Sequence, residues 1–197
     1  MDHASPQQAA ARGAARPDAP PVMVFRVGER QYGLPAGLVV RECMPVPALR
    51  TPMVAVAHVS GWFHLGAEMV AVLDLGVLLG VRAQAVRAPL DLLYRPLLLC
   101  NQPGGGYVAL LVDAALDVMR PQKGSPAMVD AGTAEAEGAG QELELGDGSI
   151  AFMLRMTDIL DDDERMRLDS LLERTRARAA LWAQTDPDGT TAVDGAP

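Results

Sequence analysis

At 197 residues the chain has room for one compact domain with tails, and its 49% apolar content suffices for a core, but with only 4% aromatics that core must be aliphatic. Its 25 acidic against 17 basic residues leave a formal charge of -8, which argues against nucleic acid or an anionic membrane surface as a partner. Asp or Arg interrupts every apolar stretch well short of the ~18–20 residues of a bilayer span, residues 1–21 lack the apolar run of an export signal, and Cys43 and Cys100 sit in or beside apolar runs, as reduced and buried thiols of a cytoplasmic protein would.

Residues 1–21, rich in Ala, Pro and Gln, carry too little bulky apolar surface to offset the entropy of ordering them, and a disordered arm is expected. Order is expected from Val22, where VMVFRV and Tyr32-Gly33-Leu34-Pro35 flank a turn at Gly28-Glu29-Arg30-Gln31 and read as a hairpin. Leu38–Glu42 is strand-like, and Pro45, Pro47 and Pro52 mark a surface loop after it. His58–Phe63 and Glu68–Leu73 read as two strands about a tight Gly66-Ala67 turn. Asp74 can cap a short helical turn over Leu75–Leu79, with Gly80 placed where a left-handed residue is wanted. After a polar connection to Pro89, Leu97–Cys100 and Tyr107–Val112 form a second hairpin around Gly104–Gly106. Ala115–Met119 is a further strand and 121–140 a mobile loop. Glu142–Leu145 and Ile150–Leu154 then make a third hairpin across Gly146-Asp147-Gly148.

From 161 to 184 the pattern turns helical. Leu168, Leu171, Leu172, Thr175, Ala179 and Trp182 fall on one stripe, and the acidic run Asp161–Glu164 sits at the positive end of the helix dipole. Arg174, Arg176 and Arg178 lie toward the negative end. The stripe either packs on the strands or faces a partner. Residues 185–197 hold turn formers and no core residue, and a frayed tail is expected. The ordered body is therefore 22–160 followed by the helix. Many short strands joined by glycine turns, with a terminal helix, point to an all-β barrel architecture. No internal sequence repeat is visible.

Candidate chemistry is sparse. His58, His64, Cys43 and Glu68 show no ligand spacing of the C-x-x-C or H-x-x-x-H kind. Gly104–Gly106 lacks the Lys-Ser/Thr and the helix that a phosphate loop needs. Asp74 and Asp113 are separated carboxylates that fit capping and turn roles better than acid–base work. No catalytic, cofactor-binding or metal-ligating residue is assigned.

Three stretches stand out in order. FRVGERQYGLPAGLVVREC joins an apolar strand, a turn, Tyr-Gly-Leu-Pro and a V-x-E strand; GWFHLGAEMVAVLDLGVLLG places Gly61, Leu65, Val72, Asp74, Leu75, Leu79 and Gly80 in one register; LLLCNQPGGGYVALLVDAALDVM ends an apolar hairpin in Val112-Asp113. Together they resemble the CheW-like family, adaptors that couple chemoreceptors to the histidine kinase CheA. The resemblance implies two SH3-like five-stranded β-barrels packed through an aliphatic core, with a C-terminal α-helix, and no cofactor. It also implies two protein-binding surfaces, one for the regulatory domain of a CheA-type kinase and one for the cytoplasmic tip of a chemoreceptor. It marks Val40, Glu42, Gly61, His64, Leu65, Gly66 and Ala67 as candidate partner-binding residues. The family's N-L-R-G reads His64-Leu65-Gly66-Ala67 here, a proline has become Ala71, and a Leu-Asp near the last strand is Leu154-Arg155. The implied function is a non-catalytic adaptor in flagellar chemotaxis or type IV pilus motility. Because the N-L-R-G guanidinium is missing, a kinase-only regulator without receptor coupling is the alternative, and a small-molecule sensor or enzyme on the same barrels is the third reading.

Overall fold

A computed structural model describes residues 20–50, 56–120, 142–145 and 148–185. The expected arm (but for its last two residues), the 121–140 loop and all but the first residue of the tail lie outside the described residues.

The first hairpin joins β1 (Val22–Val27) and β2 (Arg30–Pro35). Its turn is tighter than expected, because Arg30 and Gln31 already pair with Val27 and Arg26, leaving Gly28 and Glu29 to reverse the chain, with Gly28 at φ +60°. Strand β3 runs over Val40–Pro45 instead of Leu38–Glu42. Gly37 at φ +80° donates its N–H to the Val40 carbonyl, so the turn absorbs Leu38, and the strand continues through Pro45 because β3 borders its sheet, where proline is tolerated. Strands β4 (Val59–Leu65) and β5 (Glu68–Asp74) pair about Gly66-Ala67 as expected.

Asp74 caps α1 (Leu75–Leu78) by accepting from the Gly76 N–H at 2.9 Å, and Gly80 takes φ +71° just beyond it. The connection to Pro89 ends in a helical turn that the sequence reading did not anticipate, α2 (Pro89–Leu92), with proline in its first turn where the missing N–H costs nothing. Strands β6 (Pro96–Asn101), β7 (Tyr107–Leu111) and β8 (Ala114–Met119) follow, then β9 (Glu142–Glu144) and β10 (Ile150–Met153), the turn α3 (Met156–Ile159), and helix α4 (Asp162–Thr185).

The ten strands form two five-stranded sheets, in the orders β8-β1-β2-β10-β9 and β3-β6-β7-β5-β4. Each has a single parallel pair, β2 with β10 and β7 with β5. Adding five to each strand number, cyclically, turns the second order into the first. The chain is thus a topological repeat of β1–β5 and β6–β10 in which the halves exchange their leading hairpins, although no repeat is visible in the residues themselves.

Side-chain alternation sorts the apolar residues into three interiors. Val22 and Val24 join Leu143, Ala151 and Met153 inside the first barrel, while Val70, Val72, Leu97, Leu99, Ala109 and Leu111 fill the second. The alternate residues of the same strands, Met23, Phe25 and Val27 against Met69, Ala71, Leu73, Leu98, Cys100, Val108 and Leu110, form the largest interior, between the barrels. Strands β1, β5, β6 and β7 are therefore apolar on both faces, which is why they read as continuous runs.

Helix α4 starts with a reciprocal cap: the Glu164 N–H donates to Asp161 Oδ1 at 2.6 Å and the Asp161 N–H donates to Glu164 Oε2 at 3.1 Å. Leu168 and Leu172 enter the inter-barrel core, while Leu171 and Thr175 are half-buried. The first half of the expected stripe thus packs on the strands; the side chains of Ala179 and Trp182 lie outside the described residues.

Candidate functional site

The seven candidate partner-binding residues all belong to the second barrel, on its two border strands. Val40 and Glu42 lie on β3, and Gly61 and His64–Ala67 on β4 and its turn. Arg50, in the segment after β3, exchanges backbone hydrogen bonds with Trp62 at 2.8 and 3.0 Å and so connects the β3 segment to β4. Val40 and Gly61 are buried and act in packing. A Cβ at Gly61 would stand 2.8 Å from the Arg50 carbonyl oxygen and 3.1 Å from Leu49 Cβ, so only glycine admits that pairing. Glu42, His64, Leu65, Gly66 and Ala67 are exposed. At the hairpin tip Gly66 takes φ +60° with open space around it, and residues 64–67 present an imidazole, one apolar side chain and two small residues.

A second feature opens at the margin of the inter-barrel core. A cleft of about 460 Å³ is lined by residues 43–45 of β3, residues 93–96 after α2, and residues 113–115 leading into β8. Leu93 and Tyr94 stand 66% and 85% exposed at its rim, with Leu90 one turn earlier at 78%, an apolar surface that the fold itself leaves uncovered. Contrary to the expectation of a buried thiol, Cys43 is exposed here. It pairs with Leu98 and so shares the face of β6 that looks toward the first barrel, but the border strand runs past the edge of that cover. Partial burial and then the Glu42 carboxylate beside it push its pKa above the ordinary thiol value. Cys100, buried as expected, is pushed up to about 12 by desolvation.

The cleft wall carries a charge network that joins the barrels. Asp74, fully buried, accepts from the N–H groups of Gly76 and Val86 and from Arg82 Nε at 2.9 Å. Arg82 also donates to Asp113 at 2.8 Å; Asp113 in turn accepts from the Gly28 N–H in the β1–β2 turn at 2.6 Å and pairs with Arg95. Burial lowers the pKa of Arg95, and the adjacent Arg82 charge lowers it further. Both carboxylates serve as caps and turn acceptors, as the sequence suggested, but their arginine partners went unnoticed. Arg82 follows Asp74 by eight positions across an irregular turn, so no periodicity points to the pair. Likewise Arg87 holds the Val56 and Val59 carbonyls, and Arg155, at the Leu-Asp departure, pairs with Asp158. Among the described residues no three His, Cys, Asp or Glu side chains converge as a metal site would require, and no helix is long and apolar enough to cross a membrane.

Comparison with known proteins follows the same outline. A family model described as CheW-like domain matches residues 21–164. The structure is similar to the scaffolding protein TtCheW from Thermoanaerobacter tengcongensis, with a TM-score of 0.56 and 16% identity over 73% of this chain and 93% of that one. At that identity the likeness speaks for the fold. A search among curated proteins found no match.

Proposed function

The chain belongs to the CheW-like family of chemotaxis scaffold and adaptor proteins, and from that premise we propose that it is a non-catalytic adaptor binding the regulatory domain of a CheA-type histidine kinase and the cytoplasmic tip of a chemoreceptor. The observation that carries the reading is the family match over 21–164, which spans both barrels and every candidate residue. Protein recognition also suits what the surface offers: border strands, an exposed hairpin tip, and a cleft with an uncovered Leu90, Leu93 and Tyr94 rim.

Calorimetric titration of the purified chain tests the proposal, with the kinase regulatory domain and a receptor-tip helical hairpin from the same organism as ligands. Saturable binding of both is the expected result. Binding of the kinase domain alone would favour a kinase-only regulator, and binding of neither would overturn the adaptor reading.

A further inference from the structure

The β4–β5 hairpin carries no lysine or arginine of its own: its exposed residues 64–68 are His, Leu, Gly, Ala and Glu. A guanidinium nevertheless reaches it from elsewhere in the chain. Arg176, on α4, donates from Nη2 to the Met69 carbonyl oxygen at 3.3 Å, and Met69 is the residue that pairs with His64 across the hairpin. Its position follows from packing. Leu168 and Leu172 anchor α4 in the inter-barrel core, and four residues on, the same stripe brings Arg176 beside β5.

Arg176 is exposed and makes only this one hydrogen bond among the described residues, which leaves most of its five N–H donors available. Neither Glu68 on the hairpin nor Glu173 one turn back on α4 forms a salt bridge with it. Glu173 precedes Arg176 on α4 and Glu68 lies on the hairpin, so the guanidinium is an exposed cation in a mixed-charge surface of a chain whose formal charge is -8. An exposed guanidinium with donors to spare, next to an exposed Leu65 and a small-residue turn, fits a segment that presents a carboxylate.

We propose that Arg176 is the specificity cation of the hairpin surface, donating to a carboxylate on an acidic helical segment of the partner. This rests on the reading of the hairpin as a partner-facing surface. The residue lies beyond the family match, which ends at 164.

The test titrates full-length wild type, Arg176→Ala and Arg176→Lys against the receptor-tip hairpin, and against the same hairpin with its exposed carboxylates changed to amides. Loss of a charge-assisted bond predicts binding weaker by roughly tenfold to a hundredfold for Arg176→Ala, a smaller loss for Lys, and no further effect of the substitution on the amide fragment. Placing a guanidinium on the hairpin itself, by Ala67→Arg at an exposed turn position in the Arg176→Ala background, should recover affinity; a purely structural role would give no such rescue. Kinase-domain affinity and the melting midpoint should stay unchanged in Arg176→Ala. Equal binding by wild type and Arg176→Ala overturns this inference and leaves the adaptor reading standing. Failure of the wild type to bind either partner overturns both.

Discussion

Cys43 and Cys100 lie on paired strands, yet they differ in reach: Cys43 stands on the border strand β3 at the cleft, and Cys100 faces the inter-barrel core with its Sγ near the Leu98 carbonyl at 3.5 Å. One thiol should therefore react with a disulfide reagent in the native protein and the second only after denaturation. Because burial and Glu42 hold the Cys43 pKa up, its reaction at pH 8 should be slower than that of free cysteine, and Glu42→Gln should speed it. Two fast native thiols would contradict this placement. His58 provides a pH test. Its half-buried ring has a pKa below its ordinary 6.5, through desolvation that outweighs the attraction of Glu164. The unfolded chain then binds the proton more readily, so this residue contributes stability that is present above pH 6.5 and is lost as pH falls through the folded value. Urea denaturation of wild type and His58→Gln between pH 5 and 8 should show a shallower acid-side decline in the variant; parallel curves would remove His58 from the account.

Helix α4 depends on its first half. The Asp161–Glu164 reciprocal cap and the burial of Leu168 and Leu172 act within the first three turns, while Arg174 and Arg176 beyond them are exposed. Leu168→Ala should cost about 2–5 kcal/mol, the range for emptying a leucine site in a core. Asp161→Ala, which removes one side of the cap, should cost about 1 kcal/mol. Chemical denaturation measures both, and a cost for Leu168→Ala no greater than for the cap would mean that the helix is held by its end alone. In its described first half the sequence stripe marked the apolar face, but it missed Arg176, because an arginine at a stripe position reads as an interruption until the neighbouring strand and the Met69 carbonyl are known.

At the scale of the molecule, the exchange of hairpins between the two halves means that neither barrel can form from a contiguous half of the chain. The largest core also lies between the barrels. Unfolding should therefore be a single cooperative transition, seen alike by far-ultraviolet circular dichroism and by Trp62 fluorescence in a Trp182→Phe variant. Arg82 links Asp74 of the second barrel to Asp113, which holds the first barrel's opening turn through Gly28. Arg82→Ala leaves the buried Asp74 carboxylate without its cation, and a loss of about 3–5 kcal/mol is expected, whereas Arg82→Lys, which keeps a positive charge beside it, should cost less. An Arg82→Ala protein as stable as wild type would show that the two backbone donors to Asp74 suffice.

The sequence by itself determined the strand inventory, the hairpins between consecutive strands, the Asp74 cap and the C-terminal helix, because each rests on local alternation, turn chemistry or helical period over a few residues. The resemblance of its motifs supplied the family and the two-barrel class. Tertiary structure alone decided which strands share a sheet, since pairing joins residues far apart in the chain and the apolar runs of β1, β5, β6 and β7 carry no mark of which face meets which core. It also decided the fate of Cys43, the arginine partners of Asp74 and Asp113, and the arrival of Arg176 at the β4–β5 hairpin. These depend on where an edge ends or how far a long side chain reaches, and such distances are set by packing rather than by spacing along the chain.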